Sequence, residues 1–154
     1  MLEAGLNELK ISDKVLTSWA FAGCFGIVEK WQRPDGKVIG ILGHYEPGNI
    51  TDVYGFTENF AAHLAAAERK LAAEGYRPNR AILFHPKITT KEPALQKELD
   101  MATLLLKKVA GPNVKLITYA SKTGEGMNQL KYDVKSGDVF ARFKGKSLTA
   151  HYKL

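Results

Sequence analysis

A compulsory chain reversal between two apolar runs constrains this sequence more than any other feature. Residues 25–32 and 37–42 are both rich in aromatic, β-branched and aliphatic side chains, and Arg33-Pro34-Asp35-Gly36 separates them. Proline fixes one φ and Asp-Gly supplies the positive φ that a tight turn needs, so the stretch predicts a β-hairpin. A hairpin folded near Asp35 brings its two ends together. Cys24, preceded by Gly23, and His44 then lie at the same end despite their separation in sequence. A thiol held near an imidazole is the minimum for nucleophilic catalysis, because the imidazole can take the thiol proton. Cys24 equally fits a small buried apolar residue, with His44 simply closing a strand.

The length of 154 residues predicts one domain, 1–154, with a core that needs no disulfide or metal. Cys24 is the only cysteine, which excludes an internal disulfide and is compatible with a reducing compartment. No Cys/His cluster has zinc spacing, so no zinc site is expected. The N-terminus shows no basic segment followed by an apolar core, and no apolar run approaches the roughly 18–20 residues that span a bilayer. The expectation is a soluble chain without a signal peptide or membrane partner, working in the cytoplasm or delivered into a host cell. The net charge of +6 suggests anionic partners. The basic residues are scattered, however, and only Phe143 lies among Arg142, Lys144 and Lys146. Nucleic acid is therefore not expected, and the charge reads as a solvated basic surface. The oligomeric state is not legible.

Along the chain, residues 1–13 are mixed and polar, with Ile11, Val15 and Leu16 starting an edge strand that leads to Trp19. Residues 45–55 are rich in turn formers and read as a long loop, a wall for any site beside His44, with Tyr45, Asn49 and Thr51 as substrate-facing candidates. Thr57 is the expected N-cap of a helix to about Glu74, with Phe60, Leu64, Ala67 and Leu71 as its buried stripe and Gly75 after its end. Residues 81–84 form a central strand closed by His85-Pro86. A second helix spans Pro93–Ala110, stopped by Gly111-Pro112. Val114–Tyr119 is a strand, and residues 121–126 are a turn without the order of a phosphate loop. Strands at 130–134 and 139–143 flank a turn at 135–138, and Leu148, Ala150 and Tyr152 alternate in a last strand. The class is α+β: a mixed and antiparallel β-sheet core with β-hairpins, covered by two amphipathic helices.

A strand, a Gly-Cys pair, a hairpin ending in histidine, a helix–strand–helix–strand middle and a closing hairpin resemble the chemoreceptor glutamine deamidase (CheD) family. The closing L-K-Y-D-V-K-S-G-D-V-F-A-R-F segment is similar to that family's last hairpin. Toxins of the cytotoxic necrotizing factor and Burkholderia lethal factor type share that catalytic fold. Phe21-Ala22-Gly23-Cys24 is closer to their Leu-Ser-Gly-Cys than to the Gly-Ser-Cys of the chemoreceptor branch. That branch has a threonine six residues before its cysteine; here Ser18 takes that place, with Thr17 beside it. The Cys-to-His interval is slightly longer than in either branch.

The resemblance implies cofactor-independent hydrolysis of a glutamine side chain to glutamate and ammonia, on a folded protein substrate. Cys24 is then the nucleophile and His44 the base, with the thiolate–imidazolium pair favoured and the thiol pKa lowered. The amides of Gly23 and Cys24 are the expected oxyanion donors, and Ser18 or Thr17 orients the imidazole. Adjacent strand residues face opposite ways, so at most one hydroxyl meets the dyad, and the family spacing selects Ser18. Transamidation or another amide or thioester hydrolysis uses the same dyad, and a non-catalytic basic binding module needs no dyad at all.

Overall fold

The computed structural model describes residues 1–121, 125–145 and 149–154. In chain order the strands before the first helix are β1 (Leu2–Glu3), β2 (Glu8–Ser12), β3 (Val15–Phe21), β4 (Phe25–Gln32) and β5 (Val38–Tyr45). Helix α1 (Phe60–Ala73), β6 (Arg77–Pro86), α2 (Pro93–Ala110) and β7 (Val114–Tyr119) follow, then β8 (Met127–Asp133), β9 (Asp138–Phe143) and β10 (Ala150–Lys153). The class is α+β, as the sequence implies, but the strands divide into two sheets of five. One has the order β1-β3-β8-β9-β10 and the other β2-β5-β4-β6-β7. Pairs β1–β3 and β6–β7 are parallel and the remaining neighbours antiparallel, so both sheets are mixed.

The sheets face each other across one apolar core, in which Leu16, Phe21, Leu130 and Tyr132 of the first sheet meet Val28, Leu42, Ile82 and Phe84 of the second. The two helices cover the other face of the second sheet. Phe60, Leu64, Leu99, Ala102 and Leu106 pack there on Phe25, Ile27 and Leu83. β4 and β6 are therefore buried on both faces, which explains their near-continuous apolar runs. Gly40 allows the sheets to approach, since a Cβ there would lie 2.5 Å from the Tyr132 ring and 2.6 Å from Val134.

The hairpin closes through Arg33 N–H to Lys37 O (2.9 Å) and Gly36 N–H to Arg33 O (3.0 Å), with Gly36 at φ 89°. β5 runs past Leu42 through Gly43 and His44 to Tyr45, so His44 lies within the strand and Tyr45 ends it instead of starting the loop. The expected single strand from Ile11 is two: β2 is an edge of the second sheet, while β3 lies between β1 and β8 in the first. The N-cap of α1 is Asn59, whose Oδ1 accepts from Ala62 N–H at 2.9 Å, and not Thr57. Helix α2 has the expected bounds, and Gly111 (φ 59°) follows it. β6 is longer than 81–84, and β8 starts earlier than residue 130 and ends at Asp133, leaving Val134 in the turn. The centre of the expected 121–126 turn, together with Lys146 and Leu148, falls outside the described residues. No helix among the described residues is long and apolar enough to cross a membrane.

An ionisable side chain lies deep in the helix-facing layer. Glu29 of β4 is 1% exposed; its Oε1 accepts from Trp31 Nε1–H at 2.9 Å, and its Oε2 has no partner among the described residues. Burial pushes its carboxyl up to about 8, with the nearby Glu68 charge adding to the shift against the Trp31 hydrogen bond.

Candidate active site

The chain passes from one sheet to the other between Phe21 and Phe25, and Cys24 sits on that crossing. Gly23 takes positive φ there (99°), a conformation that glycine adopts freely, and Ala20 does so near the end of β3 (63°). Tyr119, the last residue of β7, pins the crossing: its hydroxyl accepts from Gly23 N–H at 3.1 Å and donates to Cys24 O at 2.6 Å. Gly126 abuts the same place, with no room for a Cβ beside Phe21 O (2.4 Å). Cys24 is half-buried, and its side chain packs on the core between the sheets.

His44 pairs with Gly26 across β4–β5, two rungs from the crossing. Gly26 carries no side chain, and the Phe21 ring fills the space, stacked on the imidazole at 3.8 Å and 11°. On the other side, Ser18 Oγ lies 2.9 Å from His44 Nδ1 and 2.6 Å from Ala4 O. The serine has one hydrogen, and the Ala4 carbonyl can only accept. Ser18 therefore donates to Ala4 O and accepts from His44 Nδ1–H, which fixes the neutral tautomer. Nε2 is left as a bare acceptor, buried and without a hydrogen-bond partner among the described residues, the Cys24 thiol included.

The protonation states differ from those the resemblance implies. Burial pushes the His44 imidazole down to about 4. Burial, and then the Glu46 charge, push the Cys24 thiol up to about 11, against one hydrogen bond from the Ala22 backbone. Among the described residues no cation offsets the desolvation of the thiol. The free protein therefore holds a neutral thiol and a neutral imidazole at pH 7, not a thiolate–imidazolium pair.

The other expected site residues separate into two groups. Ser18 meets His44, while Thr17 turns away: its Oγ1 donates to Leu130 O at 3.1 Å and accepts from Gln129 Nε2–H at 3.3 Å. The Gly23 amide is committed to Tyr119, so it is not a free oxyanion donor; the Cys24 amide makes no hydrogen bond to a described residue. Tyr45 is fully buried on the helix side of the sheet, opposite His44, and its hydroxyl donates to His63 Nδ1 at 2.7 Å. Asn49 is also buried and lines a groove of about 690 Å³ between β2 and α1. Tyr45 forms no wall for Cys24, because β5 continues to it and alternation directs its side chain away, and the groove that Asn49 lines includes neither Cys24 nor His44. Thr51 is half-exposed before a short 3-10 turn at Asp52–Tyr54.

The remaining histidines have structural partners. His63 Nε2–H donates to Glu58 Oε2 (2.7 Å), His85 Nδ1–H to Pro86 O (2.9 Å), and His151 Nε2–H to Asp138 Oδ1 (2.7 Å). No group of three or more His, Cys, Asp or Glu among the described residues is arranged to hold a metal. Sequence reasoning missed Tyr119, which no local signal marks, and Glu46, which strand alternation from His44 marks. No family model matches this chain, and no curated protein matches it.

Proposed function

We propose that this chain is a cysteine-dependent amide hydrolase that converts a glutamine side chain of a folded protein to glutamate. The observation that carries the reading is the Ala4–Ser18–His44 hydrogen-bond series, which commits the imidazole proton to Nδ1 and leaves Nε2 a bare, buried base on the strand pair at whose end Cys24 follows the Phe25–Tyr45 rung. A histidine needed only for packing gains nothing from an unpartnered ring nitrogen, which costs desolvation without return.

In the reaction, substrate binding brings thiol and Nε2 together. The S–H proton passes to Nε2 as sulfur bonds to the amide carbon, and the Cys24 amide hydrogen-bonds the developing oxyanion. The Nε2 proton then goes to the amide nitrogen, the C–N bond breaks and ammonia leaves a thioester. Water attacks the thioester, giving a proton to Nε2. The C–S bond breaks and that proton returns to sulfur, leaving glutamate. Desolvation has a chemical use here: a neutral thiol and a neutral imidazole are the reactants this general-base step needs. A thiol nucleophile must stay reduced, so the reading favours a reducing compartment, the producing cell's cytoplasm or that of a recipient cell.

One observation favours a second reading. The thiol packs on the apolar core and is raised to about 11, as expected of a structural cysteine in a basic binding module. Ammonia release separates the two. The native protein should release ammonia from glutamine-bearing proteins and Cys24→Ser should not, with the fold retained; equal release, or none from either, overturns the proposal.

A further inference from the structure

Glu46 stands where a second substrate contact would be needed. Phe25 and Tyr45 form the last rung of the β4–β5 ladder, and both side chains enter the helix-facing core. Cys24 and Glu46 each lie one residue beyond that rung. Alternation turns both toward the face on which His44 lies. Cys24 obeys this, since it packs on the core between the sheets. Glu46 is exposed and acts on the thiol through its charge.

Asn7 holds this carboxylate in place. It flanks the end of β5 on the side opposite Cys24, with its N–H donating to His44 O at 2.6 Å. Its side-chain amide grips Glu46 at both ends, Nδ2–H donating to Oε1 and Oδ1 accepting from Glu46 N–H, each at 3.1 Å. Asn7 does so at φ 60°, a left-handed conformation that asparagine tolerates better than most residues. Oε2 has no protein partner among the described residues. A clamped carboxylate with a free oxygen beside a nucleophile meets a carboxamide and a carboxylate differently. It accepts a hydrogen bond from the amide N–H and repels the acid.

We propose that Glu46, set by Asn7, is the specificity-determining residue that selects a side-chain carboxamide at Cys24 and expels the carboxylate product. The inference rests on the amide-hydrolase reading and supplies what that reading lacks, a discriminator between substrate and product.

Iodoacetamide and iodoacetate test it without turnover, because they differ as a carboxamide and a carboxylate and label the same sulfur. Cys24 is the only cysteine, so intact mass reports each rate. An exposed, solvent-screened unit charge is worth up to about tenfold in rate. The ratio of iodoacetamide to iodoacetate rates should therefore fall by up to about tenfold from the native protein to Glu46→Gln, which keeps the acceptor for Asn7. An unchanged ratio overturns the inference. With glutamine-bearing peptides, Glu46→Gln should lower kcat/KM about tenfold or more relative to that of the glutamate γ-methyl ester, which has no N–H and shares any effect of the charge on the thiol. Equal losses on amide and ester also overturn it. If the ratio falls but the native protein releases no ammonia from glutamine, the carboxamide preference stands and the hydrolase reading fails.

Discussion

Replacing Glu29 with glutamine should remove a large part of the pH dependence of stability. The native carboxyl lies beneath α1 with one hydrogen bond and one orphaned oxygen, and burial raises it from an ordinary 4.5 to about 8. A carboxyl raised on folding contributes stability that is fully present below its unfolded pKa and is lost as pH rises through its folded one. Between those values the folded state must keep a proton that the unfolded chain releases. The two values give a loss of about 2.5 kcal/mol from pH 5 to pH 7 and about 4 kcal/mol by pH 9. For a chain of this size the first step corresponds to a fall in Tm of about 5–10 °C. His44 acts in the opposite sense: its depressed imidazole contributes stability that is lost as pH falls below 6.5 toward 4. Glu29→Gln leaves that contribution in place, so it cancels when the two proteins are compared. Urea unfolding of both from pH 5 to pH 9 gives the difference curve. The native protein should lose stability relative to Glu29→Gln across this range, whatever the constant offset between them. A flat difference curve would show that the carboxyl is solvated or paired, and that its place in the core is misdescribed.

The other predictions concern the site. Ser18→Ala leaves Ala4 O and His44 Nδ1 without their buried partner and should cost about 2–4 kcal/mol in denaturant unfolding, together with a clear loss of kcat. Thr17→Val, whose hydroxyl serves Leu130, should leave kcat unchanged; the reverse order would refute the tautomer assignment. With His44 neutral down to about 4, kcat/KM should hold as pH falls to about 5 and drop only near 4, and an acid limb near 6.5 would mean the imidazole is solvated. Alkylation of Cys24 should stay slow at pH 7 and rise toward pH 11, as a thiol raised to about 11 requires, and fast labelling at pH 6 would restore the ion pair.

The parts of this fold legible in the sequence are those whose signals are covalent or strictly periodic. Pro34 and Asp35-Gly36 dictate the hairpin turn, and Pro93 with Gly111-Pro112 delimits α2 because neither boundary leaves the backbone a choice. β2 was obscured because an edge strand half open to solvent carries Glu8, Lys10 and Ser12, which look like loop residues. The division into two sheets was hidden for another reason. Alternation says which side chains share a face, not which strand they pair with, and the switch between Ser12 and Val15 depends on contacts with β8 more than 100 residues away. At the site, alternation allowed only one of Ser18 and Thr17 to meet the imidazole and the family resemblance selected Ser18; alternation applied once more from His44 reaches Glu46. It could not give the state of the thiol. That depends on the desolvation imposed by two sheets closing over Cys24, a property of the assembled layers and of no local motif.

The central claim is that Cys24 and His44 convert a protein glutamine to glutamate, and peptide-level mass spectrometry tests it most directly. Glutamine-bearing proteins incubated with the native chain should show the mass gain of amide-to-acid conversion at defined glutamines. With Cys24→Ser or His44→Ala, both verified as folded, that gain should be absent. Conversion that persists in Cys24→Ser, or that never occurs with the native chain, would contradict the account.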